Sequence, residues 1–155
     1  MDKELEKKLL EKYPLILRDM YGDPKVTCMA WGITCGNGWY MLLENLLGTI
    51  QHHINEFNKG IQSGFPFYKD KQPIPQVVAL QIKEKLSSLT FYYEGGDEMI
   101  EGMVKLAKEL SYYICEECGT THNVGQTDIN EGVMLTLCEK CVPENRRKNW
   151  KKISI

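Results

Sequence analysis

The sequence predicts an α+β fold: helices packed on a small antiparallel sheet, with a C-terminal zinc ribbon. Three observations carry that expectation. Apolar residues recur at helical spacing from Trp39 to Phe57. Two β-prone runs, "VVALQIK" and "LTFYY", follow one another with a short break between them. Two C-x-x-C pairs, Cys115/Cys118 and Cys138/Cys141, are separated by nineteen residues, within the spacing range of four-cysteine zinc sites. The 155 residues suit a single domain with a sizeable core. Within it the sequence reads as a helix and sheet body over 1–114, a ribbon over 115–142 and a basic tail over 143–155.

In chain order, Leu5, Leu9 and Leu10 make a narrow stripe on a short charged helix ending near Tyr13-Pro14. The stretch "RDMYGDPKVTCMAWGITCGNG" then carries Gly and Pro residues that interrupt any period. Asn37 is the expected N-cap of the long helix. The buried face of that helix is Trp39, Leu42, Leu43, Leu46, Leu47, Ile50, Ile54 and Phe57. Residues 58–75 hold three prolines and no sustained period, so they read as a long loop. Phe65, Phe67 and Tyr68 argue against simple disorder there. Alternation in "VVALQIK" puts Val78, Leu80 and Ile82 on one strand face, and Ser87-Ser88 supplies the turn into "LTFYY". After Gly95-Gly96, Asp97 opens a last helix with Met99, Met103, Leu106, Ala107 and Leu110 at helical spacing.

The start, "MDKELEKKLLEK", has no apolar core of a signal peptide, and no apolar run approaches the roughly 20 residues that cross a bilayer. Cytoplasmic residence is the expectation. Thiols are kept reduced in that compartment, so six cysteines point to metal or redox chemistry, not to a disulfide framework. Four thiolates satisfy the tetrahedral preference of Zn²⁺ and leave no open position for water. Gly119 follows the first pair and can take the positive φ of a tight reversal, whereas Val142 follows the second. Between Gly119 and Gly132 only Val124 and Ile129 are bulky and apolar. Such a segment cannot offset its own ordering entropy, but structural zinc contributes on the order of 10–16 kcal/mol in small peptides. The expected cofactor is therefore structural zinc on Cys115, Cys118, Cys138 and Cys141.

Other candidates are weaker. Trp31, Cys35, Gly36, Gly38 and Trp39 crowd the start of the long helix and read either as an aromatic core or as a stacking pocket. Cys28 and Cys35 read as buried thiols, with a redox pair as the sharper alternative. Along the helix, His53 lies near the core edge and His52 points to solvent. Lys83 and Lys85 share a strand face, either as lysine protection of a sheet edge or as an anion-binding pair beside Tyr93. From Glu139 onward six basic and two acidic residues give +4, against −2 for the whole chain. The tail, which bears Trp150, could contact nucleic acid or fold back on the acidic body as a short helix; the second is favoured because that body repels phosphate.

The stretches "TCMAWGITCGNGWYMLLENL", "QIKEKLSSLTFYYEGGDEMIEGMVKLAKELS" and "CEECG" resemble a group of small zinc-ribbon proteins of bacteriophages and prophages. The resemblance runs from Thr27 to Gly119 and departs at Leu86, Ser87 and Thr90, where similar proteins carry Phe, Gly and Arg. It implies a viral or mobile-element origin and no particular mechanism. The functional expectation is a non-catalytic zinc-containing binding protein that serves counter-defence or host takeover. It would capture a nucleotide-like ligand through Trp31, Trp39, Lys83, Lys85 and Tyr93, or a host protein. The alternatives are a zinc-ribbon nucleic-acid binder and a hydrolase without a recognisable motif. The P-C-x-x-C element of zinc deaminases is absent.

Overall fold

The computed structural model describes residues 1–128 and 133–153. Its elements are helices α1 (Lys3–Lys12), α2 (Tyr40–Gln62), α3 (Glu98–Ser111) and α4 (Glu144–Arg147), and strands β1 (Val78–Lys85), β2 (Ser88–Glu94), β3 (Val124–Gln126), β4 (Thr136–Cys138) and β5 (Lys151–Lys152). The fold is α+β: β1 and β2 form an antiparallel hairpin, and a separate three-stranded sheet has the order β4-β3-β5. Ile129, expected inside the ribbon, lies outside the described residues.

α2 forms where the apolar period is strongest, and it buries Leu43, Leu46, Leu47, Ile50 and Ile54. It starts at Tyr40 after a short 3₁₀ turn, without a side-chain cap. Asn37 is therefore not an N-cap. Its side chain instead grips Asp2, accepting from the Asp2 backbone N–H at 2.8 Å and donating to its carboxylate at 2.6 Å. α2 also runs to Gln62, further than expected, and the Tyr68 ring packs over Gly60 in its last turns. The following segment is tied down by Asn58, whose amide bonds both the N–H and the C=O of Ile74. A side chain here does what a neighbouring strand does in a sheet.

The β1–β2 register runs from Val78↔Glu94 to Lys85↔Ser88, with an irregularity between Ala79 and Gln81. That bulge turns Leu80 outward to 40% exposure while Ala79 and Ile82 stay buried. The simple alternation of Val78, Leu80 and Ile82 is thus corrected by one extra residue. The turn is Leu86-Ser87, with φ of 51° and 60°, the pattern of a two-residue hairpin that follows strand twist. Ser88 belongs to β2. Ser87 is held by its N–H on Glu84 Oε1 at 2.7 Å.

α3 is capped as expected: Asp97 Oδ1 accepts from the Ile100 N–H at 3.0 Å. Its buried residues are Ile100, Ala107 and Ser111. Ser111 is drawn inward because its hydroxyl accepts from the Leu89 N–H at 2.8 Å. Met99, Leu106 and Leu110 were expected on the buried face, yet they stand exposed.

Two apolar clusters result. The larger gathers α1, α2, the hairpin and α3 around Leu9, Trp39, Leu47, Ile82 and Ile100. The smaller lies in the ribbon and holds Cys115, Val124, Leu137, Cys138 and Val142, with Trp150 and Ile153 against it. The basic tail folds back, but onto the ribbon and not onto the acidic body. It includes the short α4, β5 pairs with β3, and Trp150 donates its indole N–H to Leu137 O at 2.9 Å.

Candidate metal centre

The first knuckle spans Cys115 to Gly119. Gly119 adopts φ of 77° and donates its N–H to Cys115 O at 2.8 Å, which closes the reversal. The second knuckle manages without glycine. Cys141 and Val142 both donate to Cys138 O at 3.0 Å, and Val142 then buries its side chain in the ribbon cluster before Pro143 turns the chain away. Pairing of β3 with β4, Val124↔Cys138 through Gln126↔Thr136, positions the second knuckle against the first. The Glu116 N–H donates to Thr136 O at 2.9 Å and locks the two together.

The four sulfur atoms lie within 4.8 Å of one another, and those of Cys118 and Cys138 are 3.8 Å apart. Thiolates about 2.3 Å from a tetrahedral ion stand roughly 3.8 Å from each other. The arrangement can hold a metal ion, and four sulfurs fill its coordination. Burial raises the Cys115 and Cys141 thiols. Burial also opposes ionisation of Cys138, but hydrogen bonds from Cys141 and from the Lys140 N–H bring that thiol down to about 7. An incoming ion displaces whatever protons remain.

The structure also explains the glycines before α2. Gly38 donates its N–H to Glu116 O at 2.7 Å, and Gly36 donates to Glu116 Oε1 at 2.8 Å. A Cβ on Gly38 would stand 2.1 Å from Cys115 O and 2.4 Å from Gly119 N. The body and the metal knuckle thus meet backbone to backbone. Trp39 donates its indole N–H to Ile114 O at 2.9 Å on the same seam, and Thr136 Oγ1 donates to Ser87 O at 2.7 Å beyond it. Burial pushes the Glu116 carboxyl up to about 7, against the Gly36 N–H, which favours its charged form. The role of Glu116 was invisible in the sequence, because its partner lies eighty residues away.

The five residues expected to hold a ligand are not drawn into one pocket. Trp39 is fully buried, which corrects its reading as a stacking surface, while Trp31 is 68% exposed. Tyr93 is half-buried against Phe91, with ring centroids 5.5 Å apart. Lys83 lies 5.9 Å from the Tyr92 ring, and Lys85 is exposed at the end of β1. None of the five lines the cavities that border the ribbon. Cys35 is buried, and burial pushes its thiol up to about 12, so it is a poor nucleophile. Cys28 is exposed, contrary to its reading as a buried thiol.

His52 points to solvent as expected. His53 Nε2 lies 2.8 Å from Asp97 Oδ2, so the carboxylate that caps α3 also fastens it to α2. His122 is exposed and outside the four-sulfur set. It borders two concavities, one of about 580 Å³ with Tyr113, Asn123 and Lys152, and one of about 380 Å³ beside the metal cysteines. No described helix is long and apolar enough to cross a membrane. Comparison with protein-family models, curated proteins and solved structures finds no match to this chain.

Proposed function

We propose that the ion is zinc, that it is structural, and that the protein is a non-catalytic binding factor acting on another protein. The carrying observation is the outward placement of its large aromatics: Trp31 at 68% exposure and Phe65 and Phe67 at 62% each. Aromatic anchors of this kind dominate the energetics of protein interfaces. Phe67 is braced rather than loose, with the Tyr68 ring edge-on at 5.1 Å and Lys71 Nζ 4.3 Å from its centroid. Loss of Trp39 as a stacking surface weighs against nucleotide capture. The phage resemblance makes a host protein the natural target, in counter-defence or takeover.

The test is photo-crosslinking from the exposed position 69 in bacterial lysate, together with calorimetry on a nucleotide panel. One saturable protein adduct, lost in Phe65→Ser/Phe67→Ser with zinc content unchanged, supports the reading. Nucleotide binding without such an adduct overturns it in favour of ligand capture, and recovery of a cleaved nucleotide in favour of a hydrolase.

A second reading, nucleic-acid binding, draws on the ribbon itself. Lys152 Nζ is held at 2.9 Å by Asn123 Oδ1 and lines the 580 Å³ concavity with Tyr113 and His122, so a cation and a stacking ring share one surface. Truncating the tail is a poor test, because it also removes β5 and Trp150. Lys151→Ala/Lys152→Ala is better: a real phosphate contact lowers the salt slope of binding by about one per lysine.

A further inference from the structure

Asn37 and Gly38 are the single Asn-Gly pair of the chain. Asparagine before glycine is the dipeptide most prone to deamidation, because no Cβ shields the glycine nitrogen. That nitrogen, once deprotonated, attacks the side-chain Cγ; the new C–N bond closes a five-membered imide and ammonia leaves. Water then opens the ring at either carbonyl and gives aspartate or isoaspartate. Here both reacting groups are engaged elsewhere. The Asn37 amide is fixed on Asp2, accepting from its backbone N–H at 2.8 Å and donating to its carboxylate at 2.6 Å. The Gly38 N–H donates to Glu116 O at 2.7 Å, inside the first metal knuckle. Water has access, since both residues line a concavity of about 360 Å³ with Met41 and Thr121. We infer that Asn37 is a deamidation site guarded by the docked knuckle, so that loss of the ion opens it to modification.

The fold itself demands this labile pair. Position 38 must be glycine, because a Cβ would stand 2.1 Å from Cys115 O. Position 37 both donates to and accepts from Asp2, which an ionised aspartate cannot do. Glu116 lies between the ligands Cys115 and Cys118, so its carbonyl keeps its place only while the knuckle does. The apolar cluster of the ribbon is small, and ordering of the knuckle therefore rests on the ion. Without it the Gly38 N–H loses its acceptor and becomes free to react. Either product makes the opening permanent. Aspartate sets a second carboxylate against Asp2. Isoaspartate routes the chain through the side chain and adds one carbon before Gly38, which moves its N–H off Glu116 O. This inference rests on the four sulfurs holding an ion and is independent of what the protein binds.

The test ages the whole chain in mildly alkaline buffer with reductant, in excess zinc or in chelator, and follows the tryptic peptide 26–59 by mass spectrometry. Conversion at Asn37 is expected to be at least about tenfold faster in the stripped protein, because reaction then needs no prior opening of the seam. Asn45, Asn55 and Asn58 of the same peptide, none followed by glycine, are the internal references. Hydrogen exchange should show α2 still protected in the stripped sample, which places the opening at the seam. Asp2→Ala, which frees the Asn37 amide and keeps the ion, should raise the rate in the zinc-loaded protein. When zinc is returned, modified chains should bind it more weakly than unmodified ones. Equal rates at Asn37 with and without the ion overturn the inference, as does conversion no faster than at Asn58, or loss of α2 protection on stripping. Modified chains that rebind zinc as tightly as intact ones overturn the permanence. Elemental analysis that finds no ion in the loaded sample overturns the premise, a result distinct from equal rates in metal-bearing chains.

Discussion

Gly38→Ala tests whether the body and the metal knuckle are held together by direct backbone contact. The added methyl would meet Cys115 O at 2.1 Å, Gly119 N at 2.4 Å and Glu116 O at 2.7 Å. All three are backbone atoms in a closed reversal, so none can swing aside. Restoring ordinary contact requires the two segments to part by about 1 Å. The Gly38 N–H to Glu116 O bond, now 2.7 Å, is then stretched to roughly 3.7 Å and lost. Its loss costs about 1 kcal/mol, and a buried acceptor left unpaired costs about 1–3 kcal/mol more. Overpacking adds a further ~1–3 kcal/mol. A destabilisation of about 3–7 kcal/mol is expected, a large part of a typical domain's ~5–15 kcal/mol. The assay is urea unfolding in excess zinc and reductant, with Gly102→Ala as comparator. That change fills open space on an exposed helix and should stabilise by about 1 kcal/mol. Gly38→Ala unfolding within about 0.5 kcal/mol of the parent, the range of an ordinary surface change, would refute the backbone contact.

Two further predictions concern the metal and a buried charge. Elemental analysis should find one zinc per chain. Cys118→Ser should lose the ion and the amide protection of residues 115–153 while α2 and the β1–β2 hairpin keep theirs, and a folded, iron-containing sample refutes the zinc assignment. Glu6 is buried, and burial would raise its carboxyl. Hydrogen bonds from the Tyr21 hydroxyl, the Lys3 ammonium and the Ile33 N–H outweigh this and hold it below its usual range near 4.5. Because the folded value is depressed, the stabilisation is complete above that range and disappears as pH falls through the folded value. Glu6→Gln should therefore cost about 2 kcal/mol at neutral pH, with the difference from the parent closing in acid; a difference independent of pH contradicts the ionic role.

The parts of this protein that rest on local pattern were legible in the sequence. The four cysteines declare themselves by spacing, and α2 by a period sustained over many residues. What escaped depends on contacts distant in sequence. Gly36 and Gly38 invite a pocket because nothing nearby reveals that a knuckle eighty residues on presses against them. Leu80 defeats alternation through a single bulge, which turns it outward while Val78 and Ile82 stay buried. On α3 the stripe of Met99, Leu106 and Leu110 has the right period for burial. Periodicity shows that a helix has an apolar face, not which neighbour covers it, and here the body takes the adjoining face through Ile100, Ala107 and Ser111. Trp39 and Trp31, eight residues apart, show the same limit: one lies wholly inside and the other mostly outside.

The seam between Gly36–Trp39 and the first knuckle also makes ion affinity a property of the whole molecule. Free-energy coupling between two events is reciprocal. If docking on the body preorganises Cys115 and Cys118, ion binding favours the docked body by the same factor. A copy whose α2 has opened would then hold an ion less tightly than an intact one, although no ligand has been touched. Competition with a chelator then removes metal first from damaged copies, and the stripped ribbon becomes the segment most open to proteolysis. An ion held by the four sulfurs would act as a seal whose retention certifies the packing of helices that never contact it.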